Sequence, residues 1–142
     1  MSRLYFAYGS NMHLAQMSSR CPGSPLMGAG LLRGYRWIIS TRGYANIVHD
    51  PLEMVEGLLF FLAPEDEANL DQCEGVALGK YRKATVRVLN AREELSALAY
   101  IDPVITEGLP KSEYVGRINA AVRDAQLSPE YLQRVIRRFI PE

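Results

Sequence analysis

The sequence predicts an α+β fold in which a mostly antiparallel, barrel-like sheet is surrounded by helices. Segments with strand character outnumber those with helix character, and the strands follow one another in hairpin-like runs. Two segments near the end of the chain carry apolar side chains at helical spacing, as helices packed on a sheet do. The chain has 142 residues, the length of one ordinary domain with its own core. With no repeat, low-complexity tract or linker, we expect residues 1–142 to form a single domain.

The composition is that of a water-soluble globular protein, with 48% hydrophobic and 23% charged residues. Lys+Arg and Asp+Glu both number 16, so the net charge is zero. Proteins that bind nucleic acids or anionic membranes carry an excess of basic residues, and this chain has none, so neither is expected as a partner. No signal-peptide pattern and no apolar run of about 20 residues is visible. We therefore expect a cytoplasmic protein that binds a small molecule.

The first predicted strand is Leu4–Tyr8, which is continuously apolar and therefore expected to be buried on both faces. The chain then enters the turn Gly9-Ser10-Asn11. A helix is predicted to begin near Asn11, whose side chain can cap it, and to end before Cys21.

A β-rich region follows. Gly57 predicts a bulge or a close backbone contact, and Asp50-Pro51 is expected to end the third strand of the region. The four predicted strands are Leu26–Leu32, Tyr35–Thr41, Ala45–His49 and Val55–Leu62.

A helix is predicted from Pro64, with an acidic first turn that suits the positive end of the helix dipole, and it ends around Cys73–Gly75. Two more strands are predicted at Lys80–Leu89 and Leu98–Ile101, joined by a turn. A helix over Lys111–Ala125 has an apolar stripe formed by Tyr114, Ile118, Ala121, Val122 and Ala125. A last helix begins with Ser128 as its cap and Pro129 in its first position. Its predicted buried face consists of Leu132, Val135, Ile136 and Phe139, and Pro141 ends it.

The stretch Tyr8-Gly9-Ser10-Asn11 is the first candidate for a binding site. A strand, a tight turn and a helix start present backbone N–H groups to bound negative charge. The alternative is a simple strand-to-helix connection, since Gly, Ser and Asn favour turns for local reasons.

Glu74 is the second candidate. It lies at the C-terminal end of a helix, where the dipole is already negative, so its pKa is expected to be raised as a general base requires. Gly75 allows a sharp exit and open access to the side chain. The alternative is an ordinary solvent-exposed glutamate.

Other chemistry is less favoured by the sequence. Cys73 has no histidine near it in sequence and is expected to be a buried, inert thiol. A triad of Ser10, His49 and Asp71 lacks the Gly-x-Ser-x-Gly turn. The two cysteines and two histidines have no metal-ligand spacing, so no metal and no cofactor are expected.

The roles of Tyr114 and of four arginines remain open from the sequence. Tyr114 belongs either to the core or to a pocket. Four arginines are read as solvated charges on strand faces, although one of them could hold a substrate carboxylate. They are Arg33, Arg36, Arg42 and Arg82.

Taken together, these motifs resemble the γ-glutamylcyclotransferase family and its AIG2-like relatives. The resemblance covers essentially the whole chain in the same order, and the Tyr-Gly-Ser-Asn loop with the Glu-Gly pair is its most specific part. The segments that carry it are Tyr5–Met12, Ala45–Val48, Val55–Leu59, Leu70–Val76 with Tyr81, Pro110–Tyr114 and Leu127–Tyr131.

The resemblance implies a small mixed barrel with flanking helices and assigns roles to individual residues. It makes Glu74 the catalytic acid/base. It assigns substrate binding to the backbone of the Tyr-Gly-Ser-Asn loop, to the end of the strand before that loop, and to a tyrosine at the start of a late helix. These substrate-binding residues are Tyr5, Phe6, Ala7, Tyr8, Gly9, Ser10, Asn11 and Tyr114. The chain departs from the family pattern at Pro110-Lys111-Ser112-Glu113, where Pro-Ser-Pro is frequent.

The implied activity is conversion of a γ-glutamyl amino acid or amide to 5-oxoproline and a free amine, without metal or cofactor. Two alternatives stay open. One is action on γ-glutamyl amines or antibiotic intermediates with the same glutamate, and the other is a non-catalytic binding module on the same scaffold. The resemblance leaves a homodimer open as well.

Overall fold

The computed structural model describes residues 3–142, and five strands within it form a closed barrel. The strand order is β1-β3-β2-β4-β5, in which β1 and β5 are parallel and every other pair is antiparallel. The predicted mostly antiparallel barrel with flanking helices is therefore confirmed. The strands are β1 (Arg3–Ala7), β2 (Leu26–Ile39), β3 (Ala45–Leu62), β4 (Arg82–Asn90) and β5 (Glu93–Ile101). The helices are α1 (Leu14–Arg20), α2 (Pro64–Cys73), α3 (Ser112–Ala125) and α4 (Pro129–Tyr131), with 3₁₀ turns at Ser10–Met12 and Val76–Leu78 and a π-helical segment at Leu132–Ile136.

The first strand is buried on both faces, as predicted. Phe6 points into the main core, together with Trp37, Leu59 and Val88. Its neighbours Tyr5 and Ala7 belong to a second core that also contains Met17 of α1 and Leu70 of α2. Side chains alternate across a strand, so β1 joins two hydrophobic layers. None of the helices in residues 3–142 is long and apolar enough to cross a membrane.

Four predicted strands are in fact two long ones. Gly34 lies in the left-handed region with φ +85°, and the register shifts there from Arg33↔Met54 to Tyr35↔His49. Residues 50–53 are the extra length on β3, so Pro51 removes no ladder hydrogen bond and the strand continues through it. The prediction that Asp50-Pro51 ends a strand was wrong.

The predicted close backbone contact at Gly57 is confirmed. A Cβ on this residue would lie 2.3 Å from the Ala7 carbonyl oxygen and 2.8 Å from Cε1 of Phe6. Only glycine allows β3 to approach β1 this closely.

The predicted helix start at Asn11 was wrong. Residues Ser10–Met12 form a 3₁₀ turn and α1 begins at Leu14. The side-chain oxygen of Asn11, which a cap would use as acceptor, accepts from the side chains of Gln16 and Arg20 instead of from a backbone N–H. The long strand β5 begins at Glu93, earlier than predicted.

The end of the chain largely follows the prediction. The whole predicted stripe of α3 is buried. Ser128 caps α4 by accepting from the Tyr131 N–H. The last helix does not stay α-helical, since it continues as the π-helical segment, whose Val135 and Ile136 are buried.

Candidate active site

A cavity of about 210 Å³ opens at one end of β1. Much of its wall comes from the loop after β1, the end of α2 with the turn after it, the β2–β3 turn, and the start of α3. Tyr5 of β1, Arg20 at the end of α1 and Tyr100 of β5 also line it. Glu74 and the Gly9–Asn11 loop line this same cavity, although they are far apart in the sequence.

The loop that lines the cavity has backbone N–H groups without a backbone partner. Within residues 3–142, the N–H groups of Gly9, Ser10 and Asn11 have no backbone partner. A Cβ on Gly9 would lie 3.1 Å from the Tyr114 hydroxyl and 3.2 Å from Cβ of Ala45. Glycine is therefore needed for the loop to pass between these residues, and consecutive free N–H groups are typical of anion sites.

The loop's side chains are held by the scaffold. The Ser10 hydroxyl accepts from Nε2 of Gln16 at 2.8 Å and from Nη2 of Arg117 at 3.2 Å. The side-chain oxygen Oδ1 of Asn11 accepts from Nε2 of Gln16 at 2.9 Å and from Nη1 of Arg20 at 3.0 Å. Both residues are buried, so the geometry favours backbone rather than side-chain contacts to a ligand.

Glu74 ends α2 as its C-cap. Gly75 follows with φ +64°, and the chain folds back so that the Lys80 N–H donates to the Gly75 carbonyl at 3.1 Å. This left-handed glycine makes the sharp exit that the sequence predicts. Glu74 is thereby fixed by its backbone at the cavity wall.

Burial raises the pKa of Glu74 to about 7, although three nearby arginines act against this shift. No hydrogen bond contributes to the shift. Desolvation disfavours the charged carboxylate more than the arginines favour it. A carboxyl group with this pKa can both accept and release protons near neutral pH.

The cavity contains three arginines that act on Glu74, namely Arg20, Arg42 and Arg117. Arg42 was among the sequence candidates, whereas Arg33, Arg36 and Arg82 do not line the cavity. Arg20 and Arg117 were missed. They come from two different helices, and the sequence signal was limited to basic positions on helix faces, which are usually solvated.

Tyrosines form much of the remaining wall: Tyr5, Tyr8, Tyr44, Tyr81, Tyr100 and Tyr114 all line the cavity. Burial raises the pKa of Tyr114 to about 12, and it also raises the pKa of Tyr5, Tyr8 and Tyr81. These phenols therefore stay protonated at neutral pH. Tyr8 and Tyr81 donate their protons to the carbonyls of Tyr100 and Ala45. The Tyr5 and Tyr114 hydroxyls accept from Asn11 and from the Ala45 N–H, and their own protons remain available within the described residues.

Most of the predicted site residues line the cavity, but two do not. Tyr5, Tyr8, Gly9, Ser10, Asn11, Glu74 and Tyr114 line the cavity, whereas Phe6 and Ala7 belong to the two cores and do not. Tyr114 is both buried core and cavity wall, which combines the two interpretations left open by the sequence.

The remaining candidates have other surroundings. Cys73 is exposed beside the cavity, so its predicted burial was wrong, and the buried thiol is Cys21. His13 pairs with Asp124, and His49 packs on Tyr35. Among the described residues, no cluster of three His, Cys, Asp or Glu side chains has a metal-binding arrangement.

Known proteins resemble this chain in both sequence and fold. Residues 54–135 match the model of the AIG2-like family. The chain is 24% identical over 145 residues to human γ-glutamylcyclotransferase, covering 94% of this chain and 77% of the relative. The mouse γ-glutamylcyclotransferase is 26% identical over 144 residues, with 93% and 76% covered.

Solved structures share the fold. A γ-glutamyl cyclotransferase structure superposes with a TM-score of 0.86 at 23% identity and covers 95% of this chain and 88% of that chain. The crystal structure of YkqA from Bacillus subtilis gives a TM-score of 0.82 at 25% identity over 96% of this chain and 54% of that one. The match of residues 54–135 shows that the chain belongs to the AIG2-like family.

Proposed function

We propose that this protein is a cyclotransferase that converts a γ-glutamyl amide to 5-oxoproline and a free amine. The observation that carries the proposal is the pairing, in one cavity, of a carboxyl group of pKa about 7 with a loop that has free backbone N–H groups. The names of the human and mouse relatives support the same activity.

In the proposed reaction, the substrate's own α-amine attacks its γ-carbonyl carbon. Glu74 accepts a proton from the α-ammonium group, and the neutral nitrogen forms the new C–N bond of a five-membered ring. The γ-carbonyl oxygen becomes an oxyanion in this step. Because the attack is intramolecular, binding the substrate in a folded conformation supplies much of the rate acceleration.

Collapse of the oxyanion breaks the bond between the γ-carbon and the leaving nitrogen. The attacking nitrogen loses two protons in all, and the leaving nitrogen gains two and departs as an ammonium group. Glu74 accepts and returns these protons in turn, so it ends the cycle in its starting state.

The loop N–H groups are suited to hold negative charge on the substrate, either its α-carboxylate or the developing oxyanion. The hydroxyls of Tyr5 and Tyr114, which act only as acceptors within the described residues, can donate additional hydrogen bonds. Water has partial access to the cavity, in which Glu74 is partly buried.

The test is incubation with a panel of γ-glutamyl amino acids and γ-glutamyl amines, followed by detection of 5-oxoproline. E74Q keeps the shape of the side chain but removes its proton chemistry, and we expect at least a 10²-fold loss of turnover, the lower end of what general acid–base catalysis contributes. E65Q is the matched control, since Glu65 is an exposed residue of the same helix, and it should turn over like the wild type.

Two outcomes would contradict the proposal. If E74Q forms product at the wild-type rate, Glu74 is not the acid/base. If the wild type forms no 5-oxoproline from any member of the panel but binds some of them, the protein is a binding module on this scaffold.

A further inference from the structure

The cavity carries more positive charge than the proposed reaction requires. Four cationic side chains line it, Arg20, Arg42, Lys80 and Arg117, whereas Glu74 is the only acidic side chain that does so in residues 3–142. Arg42 and Arg117 are each paired with a carboxylate that does not line the cavity, Asp102 and Glu113. The cationic excess that remains favours a substrate of net negative charge.

The arginines are attached to two separate parts of the cavity. Arg20 and Arg117 hydrogen-bond to the loop through Asn11 and Ser10. Arg42 belongs to the β2–β3 turn and is held by other elements. The cavity thus has two cationic regions, one at the loop and one at Arg42.

Arg42 is firmly oriented. Its Nη1 donates to Oδ2 of Asp102 at 2.6 Å and to the Lys80 carbonyl at 3.1 Å. Its guanidinium carbon lies 5.8 Å from the Tyr44 ring centroid and 5.3 Å from that of Tyr81, both at cation–π distance. These contacts restrict the rotation that a free arginine side chain would have.

Asp102, which orients Arg42, is completely buried behind the cavity wall. Its Oδ1 accepts from the Val104 N–H at 2.8 Å, and Asn46 hydrogen-bonds to both its backbone N–H and its carbonyl. A buried carboxylate is retained only when paired and hydrogen-bonded. Asp102 therefore fixes Arg42 without lining the cavity itself.

The edge of the Arg42 guanidinium formed by Nε and Nη2 is available to bind a ligand. Its Nε and Nη2 donate no hydrogen bond within the described part of the chain, and the side chain is 28% exposed. These two nitrogens form the side of the guanidinium group that binds a carboxylate through two parallel hydrogen bonds.

We propose that Arg42, positioned by Asp102, selects γ-glutamyl substrates whose leaving amine carries a carboxylate, which makes γ-glutamyl amino acids preferred over γ-glutamyl amines. This inference rests on the proposed function. In it, the loop region serves the γ-glutamyl part of the substrate and Arg42 binds the carboxylate of the leaving amino acid.

The test compares two substrates that differ only by that carboxylate, γ-glutamyl-L-alanine and γ-glutamyl-ethylamide. The measured quantity is the ratio of their kcat/KM values, in which effects on the shared γ-glutamyl part cancel. We expect the ratio to favour the alanine substrate in the wild type and to fall about 10- to 100-fold in R42Q, as loss of charge-assisted hydrogen bonds predicts. Arg82 is exposed and does not line the cavity, so it provides the control R82Q, which should keep the wild-type ratio.

Asp102 is tested through its coupling to Arg42. D102N should lower the ratio by a smaller factor, about 3- to 10-fold, because Arg42 remains but is less well oriented. The double variant R42Q/D102N should have the same ratio as R42Q, since residues acting through one another are not additive. The double variant also avoids leaving the buried Asp102 charge without its partner, so it remains measurable if R42Q folds poorly.

The outcomes separate the two proposals. If neither these two substrates nor any other member of the γ-glutamyl panel yields 5-oxoproline with the wild type, the proposed function fails, and the inference fails with it. If both yield product but the ratio is unchanged in R42Q and in the double variant, Arg42 does not select the substrate, whereas the cyclotransferase activity stands. A fall in the ratio for K80Q but not for R42Q would assign the carboxylate to Lys80 instead.

Discussion

At the scale of single residues, Glu74 has the raised pKa that its sequence position predicts, but the main physical cause differs. The sequence argument relied on the negative end of the α2 dipole. In the structure the largest cause is burial, which outweighs the attraction of Arg20, Arg42 and Arg117. Burial of this kind arises from distant segments, so the sequence could predict the direction of the shift but not its origin.

The pKa of Glu74 predicts how activity depends on pH. Glu74 must be ionised to accept the first proton, so kcat/KM for γ-glutamyl-L-alanine should fall about tenfold per unit as the pH drops below about 7. The measurement is initial 5-oxoproline formation from pH 5 to pH 8. A profile that stays level down to pH 5 would show that Glu74 has an unshifted pKa or is not the base.

The site residues that sequence reasoning found are those with a local signal. The loop glycine, the glutamate at a helix end and Tyr114 in a first helical turn each stand in an unusual position along the chain. Arg20 and Arg117 stand on ordinary helix faces, and they become cavity residues only because α1 and α3 converge on the loop. Such convergence is a property of the folded chain and has no signature in the sequence.

At the scale of elements, α3 and the start of α4 were predictable, whereas the start of α1 and the strand boundaries were not. The apolar stripe of α3 and the Ser128 cap are local patterns that tertiary contacts reinforce. The β2–β3 hairpin appeared as four strands because Gly34 and Pro51 normally interrupt strands. Here the register shift places both at an irregularity in the ladder, where neither disrupts the pairing.

Gly57 allows a direct test of close strand packing. G57A would bring a Cβ to 2.3 Å from the Ala7 carbonyl, so β1 and β3 would have to separate. We expect a loss of about 2–4 kcal/mol in the free energy of unfolding, measured by urea denaturation. G116A on α3 is the matched control, because a Cβ at Gly116 meets no atom within 4 Å. It should stabilise the protein by about 0.5–1 kcal/mol, and equal effects of the two variants would contradict the packing argument.

At the scale of the whole molecule, two hydrophobic cores meet at β1, and the cavity lies at the end of that strand. One core joins barrel side chains to α3 and to the last helical segments of the chain, and the other joins the opposite face of β1 to α1, α2 and α3. The loop that follows β1 is therefore supported from both sides. The sequence predicted the double burial of the strand from its unbroken apolar run, but it did not predict which helices cover its outer face.

The proposed base also carries a cost for global stability. The pKa of Glu74 is raised from 4.5 to about 7 on folding, because the native state disfavours the ionised carboxylate. The contribution of Glu74 to the unfolding free energy is therefore fully present below pH 4.5 and is lost as the pH rises through 7. E74Q stays neutral at every pH. We therefore expect the unfolding free energy of E74Q to exceed that of the wild type by about 1–3 kcal/mol at pH 8, with the difference vanishing near pH 4.

The measurement is urea denaturation of both proteins at the two pH values. Other titrating groups, such as the acid-shifted Asp124, are present in both proteins and cancel in the difference. A wild type that is more stable than E74Q at pH 8 would mean that the ionised carboxylate is stabilised by its surroundings, contrary to the desolvation argument.

Trp37, the single tryptophan of the chain, is buried in the main core and donates its indole N–H to the Tyr8 carbonyl at 2.9 Å. Tyr8 is the residue from which the candidate substrate loop departs. The protein therefore contains a natural fluorophore one hydrogen bond away from that loop. Its emission provides an optical signal of the loop's state in the unlabelled, unmodified protein.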